Sequence, residues 1–174
     1  MKKLILPALL AALVAGCSST PDTTADAPVE GRNSIATVNA GNLDGRNLPA
    51  VLTDPKSILS KRNIYFDYDR YDVKAEYKDL VTAHAKFLAN NRQFTVLVQG
   101  NTDDRGSREY NLALGQKRAD AVKKQLVLLG VREDQVEAVS LGEEKPKNPG
   151  QNEAAWAENR RGDMLYRGAN GGEF

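Results

Sequence analysis

The stretch from Phe94 to Gly130 constrains the fold most, because a strand pattern is followed directly by a long helix pattern. Residues 94–99 are apolar and β-branched and end at Gly100, which predicts a buried strand. Ser107 is a favoured N-cap residue, and a helix after it would have Glu109 in its first turn, where the helix dipole favours a negative charge. Gly130 is a natural C-terminal stop. Between these ends, apolar residues recur at helical spacing: Leu112, Ala119, Val122, Leu126 and Leu129.

Further strand and helix patterns flank this stretch. Residues 64–68 alternate as a half-buried strand does, and residues 73–90 carry an apolar helical stripe. Residues 136–141 predict a third strand, 153–161 a short helix and 164–167 a final strand. Strands that alternate with helices predict an α+β or α/β sandwich that contains a parallel βαβ unit.

The first residues predict a lipoprotein signal peptide over residues 1–16. Two lysines precede an apolar run that is too short to span a bilayer, and small residues follow it. Cys17 is the only cysteine, so it cannot form an internal disulfide. Val14-Ala15-Gly16-Cys17 resembles the lipobox of bacterial lipoproteins, in which the cysteine is acylated and becomes the mature N-terminus. Ser18 resembles the residue found there in outer-membrane lipoproteins. The alternative is a secretory peptide with an incidental free cysteine.

Residues 17–56 predict a flexible linker. They are rich in Thr, Asp, Ala, Pro, Gly and Asn and show no sustained apolar period. A coil of this length has a mean reach on the order of 35 Å. We expect this stretch to contribute nothing to the folded core, which leaves residues 57–168 as one domain and 169–174 as a short tail. The domain would lie in the periplasm, held to the outer membrane by the lipid.

The loop between the second strand and the long helix holds the best candidate site. Ligands commonly bind where a strand ends and a helix begins. Leu114 and Arg118 share one helix face, which we expect beside the buried stripe, so that Arg118 points across a cavity toward Asp103. A carboxylate that faces a guanidinium would receive a zwitterion. The alternative is a plain intramolecular ion pair, and these residues alone do not decide between the two.

Residues 100–122, Glu143-Glu144 and Asn159-Arg160-Arg161 resemble the OmpA-like peptidoglycan-binding domain family. The resemblance implies an α+β fold, a βαβαβ sandwich in which helices pack on a small mixed sheet. It implies that the ligand is the diaminopimelate of the peptidoglycan stem peptide. It also implies a tether between outer membrane and cell wall, and partnership with the periplasmic protein TolB and other Tol proteins in envelope integrity and cell division.

The same resemblance assigns roles to individual residues. Asp103 would accept the ammonium of diaminopimelate, and Arg118 would hold its carboxylate. If so, changing either to alanine should weaken binding and leave the melting temperature nearly unchanged. The other site residues line the cavity or form its opposing rim: Thr102, Arg105, Asn111 and Leu114 in the lining, and Tyr68, Asp69, Arg70 and Tyr71 in the rim.

Two positions depart from the family pattern. Asn101 stands where the family often has His. Gly162 and Asp163 replace residues that are usually more apolar, so we expect the last strand to start later than in relatives. We also expect a structural role for at least one of the two arginines that precede Gly162, and a solvated loop at Glu143-Glu144.

Other function classes fit the sequence less well. The net charge is +1 with no concentrated basic stretch, which disfavours nucleic-acid binding. A peptidoglycan hydrolase would need catalytic groups, but His84 is the only histidine and we expect it to be packed. Asp103 and Asp104 are adjacent, so their side chains should diverge. Asp67, Asp69 and Asp72 do not fit a calcium-loop pattern. We therefore expect no catalysis, no metal and no cofactor.

Overall fold

A computed structural model describes residues 49–168. The predicted signal peptide, Cys17, most of the predicted linker and the C-terminal tail lie outside the described residues. In the described part, no helix has the length and apolar character needed to cross a bilayer.

Four helices and four strands make up this region. The helices are α1 (Ala50–Thr53), α2 (Lys78–Asn90), α3 (Arg108–Leu128) and α4 (Glu153–Asn159). The strands are β1 (Asn63–Tyr65), β2 (Thr95–Asn101), β3 (Val136–Gly142) and β4 (Arg161–Arg167). Short 3-10 turns precede β1, α2 and β3.

The strands form one mixed sheet in the order β1-β4-β2-β3. β2 pairs with β3 in parallel, and α3 connects them, which confirms the predicted parallel βαβ unit. β4 lies between β1 and β2 and runs antiparallel to both. The predicted α+β class and small mixed sheet are therefore confirmed.

The hydrophobic core is built from α2 and α3 and the sheet face they cover. Alternate residues of β2 and β4 face it, as Val96, Val98, Met164 and Tyr166 are all buried. Helix α3 contributes the predicted Ala119, Val122 and Leu126. Leu112 and Leu129, predicted in the same stripe, are instead 52% and 46% exposed. They lie near the two ends of the helix, beyond the part that crosses the core.

The folded region begins earlier than the predicted boundary at residue 57. Leu52, in α1, is fully buried and belongs to the core. Its carbonyl accepts a hydrogen bond from Arg62 Nη2 at 2.8 Å. The expectation that residues 17–56 contribute nothing to the core was wrong, because one short apolar turn inside a polar stretch has no period to reveal it.

Several boundaries also differ from prediction. The last strand starts at Arg161, because Gly162 pairs with Ile64 on one side and Gly100 on the other. The expected late start was therefore wrong. β1 ends at Tyr65, three residues before the predicted end, and α2 begins at Lys78 after a 3-10 turn.

Two glycines bring α3 into backbone contact with β2. A Cβ at Gly100 would lie 1.8 Å from the carbonyl oxygen of Gly115, and a Cβ at Gly115 would lie 2.7 Å from the carbonyl oxygen of Gly100. Only glycine permits so close an approach. The contact fixes the first half of α3 against the end of β2, where the candidate site lies.

His84 is fully buried, as expected for a packed histidine. Its Nε2 donates to the carbonyl of Lys61 at 2.8 Å, so Nδ1 accepts from the hydroxyl of Tyr166 at 2.6 Å. Burial lowers the pKa of His84 to about 4. The imidazole is therefore neutral in the folded protein at neutral pH.

The buried histidine predicts a loss of stability in acid. Between pH 6.5 and 4 the unfolded chain binds a proton that the folded chain does not, so stability falls as the pH drops. From pH 7.5 to pH 5 we expect His84 to account for about 2 kcal/mol of unfolding free energy. Urea unfolding of the wild type and of His84→Gln at both pH values measures this difference. Equal pH dependence in the two proteins would contradict the assignment.

Candidate functional site

A cleft of about 120 Å³ opens where β2 ends and α3 begins. It is lined by residues from three segments: Tyr68 and Asp69 before α2, Thr102, Asp103, Arg105 and Gly106 after β2, and Tyr110, Asn111, Leu114 and Arg118 on α3. Ser107 caps α3 as predicted, with its Oγ accepting from the Tyr110 N–H. The structure thus brings together all the predicted binding residues except Arg70 and Tyr71.

Asp103 lies at the base of the cleft and is almost fully buried. Its Oδ2 accepts from Arg105 Nη2 at 2.7 Å and from Arg160 Nη1 at 3.2 Å. Burial alone would raise the pKa of Asp103, but the bonds from Arg105 and Arg160 outweigh it and hold the pKa below its usual value. Asp103 is therefore a carboxylate that already has two guanidinium partners.

Arg118 is fully buried, which differs from the prediction of a face beside the core. Its guanidinium donates to three backbone carbonyls, those of Arg70 at 2.8 Å, Asn101 at 2.8 Å and Asp67 at 3.2 Å. Burial lowers its pKa to about 10, so it stays charged at neutral pH. Arg118 and Asp103 do not pair directly, so the alternative of a plain intramolecular ion pair between these two residues is not what the structure contains.

Two polar groups of the cleft keep unused hydrogen-bonding capacity. A guanidinium has five N–H donors, and the contacts of Arg118 within residues 49–168 use three of them. The hydroxyl of Thr102 is buried, with the residue 3% exposed, and has no hydrogen-bond partner in the described region. Buried polar groups are rarely left in this state without a reason.

Arg105 fills the mouth of the cleft. Its guanidinium carbon lies 4.1 Å from the ring centroid of Tyr68 and 4.1 Å from that of Trp156. Trp156 in turn donates from Nε1 to Asp104 at 2.7 Å, so Asp103 and Asp104 diverge as expected. The sequence offered no reason to select Trp156, because it lies on α4, far along the chain from the loop.

Arg160 and Tyr110 were also missed. Arg160 reaches Asp103 and also donates to the Phe66 carbonyl at 3.1 Å and to Glu153 at 2.7 Å. The Tyr110 hydroxyl donates to Asp69 across the rim. A structural role was expected for at least one of Arg160 and Arg161, and Arg160 has such a role at the site itself.

The structure places two of the four predicted rim residues at the cleft. Tyr68 and Asp69 line the cleft, and Asp69 adopts a positive φ of 55°. Arg70 lies outside and pairs with Asp72 at 2.9 Å. Tyr71 is not in the cleft lining, and its ring centroid lies 5.5 Å from Lys117 Nζ. Of these two residues, only the backbone carbonyl of Arg70 serves the site, through Arg118.

The two departures from the family pattern meet in the structure. Asn101 Nδ2 donates to Asp163 Oδ2 at 3.2 Å, and Asp163 also accepts from the side chains of Asn63 and Arg161. The carbonyl of Asn101 is one of the three that hold Arg118. Asn101 is thus a buried support for the site with its side chain turned toward Asp163.

The Glu143-Glu144 loop is more involved than expected. Glu143 accepts a hydrogen bond from the side chain of Asn111, and Glu144 pairs with Arg108 at 2.7 Å. The loop therefore braces the first turns of α3. Among residues 49–168, no cluster of His, Cys, Asp and Glu has the arrangement of a metal site.

Comparison with known proteins gives consistent matches. A family model described as the OmpA family matches residues 65–160. The peptidoglycan-associated lipoprotein of Pseudomonas aeruginosa is 44% identical over 160 residues, which cover 90% of this chain and 92% of that protein. The peptidoglycan-associated lipoprotein of Legionella pneumophila is 37% identical over 172 residues, 94% of each chain.

Solved structures agree with these matches. The crystal structure of the peptidoglycan-associated lipoprotein from Burkholderia pseudomallei is 56% identical, with a TM-score of 0.66, and covers 67% of this chain and 98% of that chain. The C-terminal domain of Helicobacter pylori MotB is similar in fold at 21% identity, with a TM-score of 0.57 over 61% of this chain and 84% of that one.

Proposed function

Because the chain belongs to the OmpA family and, within it, to the peptidoglycan-associated lipoproteins, we propose that it is a non-catalytic tether of the cell envelope. Its domain binds peptidoglycan without a covalent bond, and its N-terminus is anchored in the outer membrane. The names of its relatives describe lipoproteins associated with peptidoglycan, which supports binding as the activity.

The proposed ligand group is the diaminopimelate of the peptide stem, which ends in an ammonium and a carboxylate. The cleft offers a complementary set: the Asp103 carboxylate for the ammonium, and Arg118 with the Thr102 hydroxyl for the ligand carboxylate. A guanidinium holds a carboxylate well because its N–H groups lie in one plane. Tyr68, Asp69, Arg105, Asn111 and Leu114 shape the walls around this group.

One observation carries this assignment. Among the contacts within residues 49–168, Arg118 has N–H groups to spare and the Thr102 hydroxyl has no partner, and both lie in one cleft beside a carboxylate that is held ionised. Buried polar groups without hydrogen-bond partners cost free energy. A small zwitterion would satisfy them together.

The organisation of the whole chain is proposed with the function. Residues 1–16 are the signal peptide, Cys17 carries the lipid, and the stretch up to the start of α1 is a linker between the membrane and the wall-binding domain. An acylated cysteine with several chains would anchor the protein stably. The domain accordingly faces the periplasm.

We also propose that the protein works with TolB and other Tol proteins in envelope integrity and cell division. Membership of the family supports this partnership. Tyr68 lines the cleft, and Tyr71 follows it three residues along the chain. Both are large, exposed aromatic side chains, and such side chains are common at protein interfaces. If the same rim meets TolB, added TolB should reduce wall binding.

The central test compares two isosteric changes in neighbouring acids. Asp103→Asn removes the charge that would meet the ammonium, so wall binding should fall about tenfold to a hundredfold. Asp104→Asn changes an acid that points toward Trp156 and should bind as the wild type does. Co-sedimentation of the full chain with purified sacculi measures both.

The wall itself supplies a second arm of this test. Sacculi whose stems carry lysine in place of diaminopimelate lack the terminal carboxylate and should bind the wild type poorly. Equal binding to both wall types would refute recognition of diaminopimelate. Muropeptides released by the protein would refute the non-catalytic tether.

A further inference from the structure

The mouth of the cleft is a cation site that the protein fills with its own side chain. Three acceptors surround the guanidinium of Arg105: the Tyr68 ring, the Trp156 ring and the Asp103 carboxylate. Aromatic faces on two sides and a carboxylate at the base are the features that bind ammonium groups in proteins. We refer to Tyr68, Trp156 and Asp103 as the cage.

Arg105 is the more exposed of the two arginines that pair with Asp103, although its bond is the shorter one, at 2.7 Å against 3.2 Å. Its side chain is 29% exposed, whereas that of Arg160 is 7% exposed. Arg160 is also fixed by the Phe66 carbonyl and by Glu153. Arg105 has Glu153, an exposed acid, at 3.6 Å on the solvent side. It can therefore leave Asp103 and keep a partner, which Arg160 cannot do without breaking buried contacts.

The local charge argues against a ligand ammonium entering while Arg105 stays. Three guanidinium groups already lie around the cleft, those of Arg118, Arg160 and Arg105. The buried Asp103 carboxylate forms ion pairs with two of them, Arg105 and Arg160. A fourth cation beside Asp103 would be repelled by its neighbours. If the ammonium takes the position of Arg105, the charge in the cage is unchanged.

We propose that Arg105 is a built-in occupant of the cage and that the ammonium of a bound amino-acid group displaces it. This inference rests on the proposed function, because it concerns the same cleft and the same class of ligand. The ammonium would lie between Tyr68 and Trp156 and bond to Asp103, while Arg105 swings out toward Glu153. Arg105 thus competes with the ligand and lowers its apparent affinity by the fraction of time the cage is closed.

The direction in which one substitution changes the affinity for the ligand tests the proposal. Arg105→Gln removes the competing cation, so a soluble stem peptide that ends in diaminopimelate should bind roughly three- to thirtyfold more tightly. Arg105→Lys keeps a cation that can occupy the cage and should bind close to the wild-type level. Calorimetric titration of the full chain in detergent measures all three proteins. Equal or weaker binding by Arg105→Gln would overturn the proposal, since an ordinary lining residue would give that result.

Trp156 provides an independent readout, because it is the only tryptophan in the chain. Its indole contacts the Arg105 guanidinium, so its fluorescence should change when the ligand displaces that group. The expected result is a change in wild-type emission that saturates with the peptide. Emission that stays constant at saturation would overturn the proposal, even if Arg105→Gln failed to fold.

The experiments distinguish a failure of the proposed function from a failure of the proposed displacement of Arg105. If the wild type binds lysine-containing and diaminopimelate-containing walls equally, the proposed recognition of diaminopimelate fails regardless of Arg105. If the wild type prefers diaminopimelate walls but Arg105→Gln binds the peptide less tightly, only the displacement of Arg105 is refuted.

Discussion

Arg118→Ala is expected to lower the unfolding free energy by about 3–5 kcal/mol, a large share of the stability of a domain this size. The side chain is buried and donates to carbonyls in three places, those of Asp67, Arg70 and Asn101. Without it these carbonyls lose the guanidinium as a donor, although that of Asp67 still accepts from the Arg70 N–H at 3.2 Å. This replaces the expectation from sequence that the melting temperature would stay nearly unchanged. Urea unfolding of the full chain measures the loss.

A control and a gentler variant separate folding from binding. Arg108→Ala, at the exposed start of the same helix, should change stability by about 0.5 kcal/mol or less. Arg118→Lys keeps the charge and part of the bonding, so it should fold, yet it cannot hold a carboxylate with two coplanar N–H groups. Its wall binding should fall at least tenfold. Wild-type binding by Arg118→Lys would remove the guanidinium from the ligand contact.

Gly100→Ala should have the second large effect, a decrease of about 3 kcal/mol or more in the free energy of unfolding. The new methyl group would lie 1.8 Å from a backbone oxygen of α3, so no side-chain rotation can relieve the clash. The helix must move away from β2, and Arg118 and Asn111 move with it. We therefore expect both a lower melting temperature and weaker wall binding by the protein that remains folded.

Gly162→Ala is the matched control. Gly162 lies directly across from Gly100 on β4, but a Cβ there would meet its nearest atom at 3.5 Å, an ordinary contact. It should fold and bind nearly as the wild type does. If both substitutions lower the free energy of unfolding equally, the decrease would come from replacing glycine in the sheet. The close approach of the helix would then not explain it.

The periodicity of apolar residues in the sequence was sufficient to predict the central helix and strand of the fold. The strand from residue 94 and the helix capped by Ser107 were predicted within one or two residues, because N-cap chemistry and β-branched runs are local signals. β4 was placed too late because Gly162 and Asp163 are poor strand formers. Pairing on both sides of β4 overrides that local preference. Leu52 was missed because its burial depends on distant core residues.

The candidate site was predictable in membership and less so in contacts. Loop position and helix spacing bring Thr102, Asp103, Asn111 and Arg118 together. What they bond to could not be inferred, because Arg118 takes backbone carbonyls from segments about 50 residues away. Every residue has a backbone carbonyl, so residue types do not indicate which carbonyls will accept a side-chain hydrogen bond.

The partners of Asp103 illustrate the same limit. Arg105 is two residues away and was included in the site, but Arg160 is 57 residues away and reaches Asp103 only because β4 inserts between β1 and β2. Trp156 depends on that insertion as well, since α4 leads directly into β4. Topology therefore decides which residues complete the cage.

The short ladder between β1 and β4 has a mechanical consequence. If the chain before Pro49 is pulled while the cleft holds its ligand, the tension runs along the chain from α1 to the end of β2. β1 meets this load early and is joined to β4 over three residues, whereas β2 pairs with β4 over six. Short edge segments open at lower free energy than central ones. Under force the domain would lengthen at β1 before the longer ladder between β2 and β4 opens.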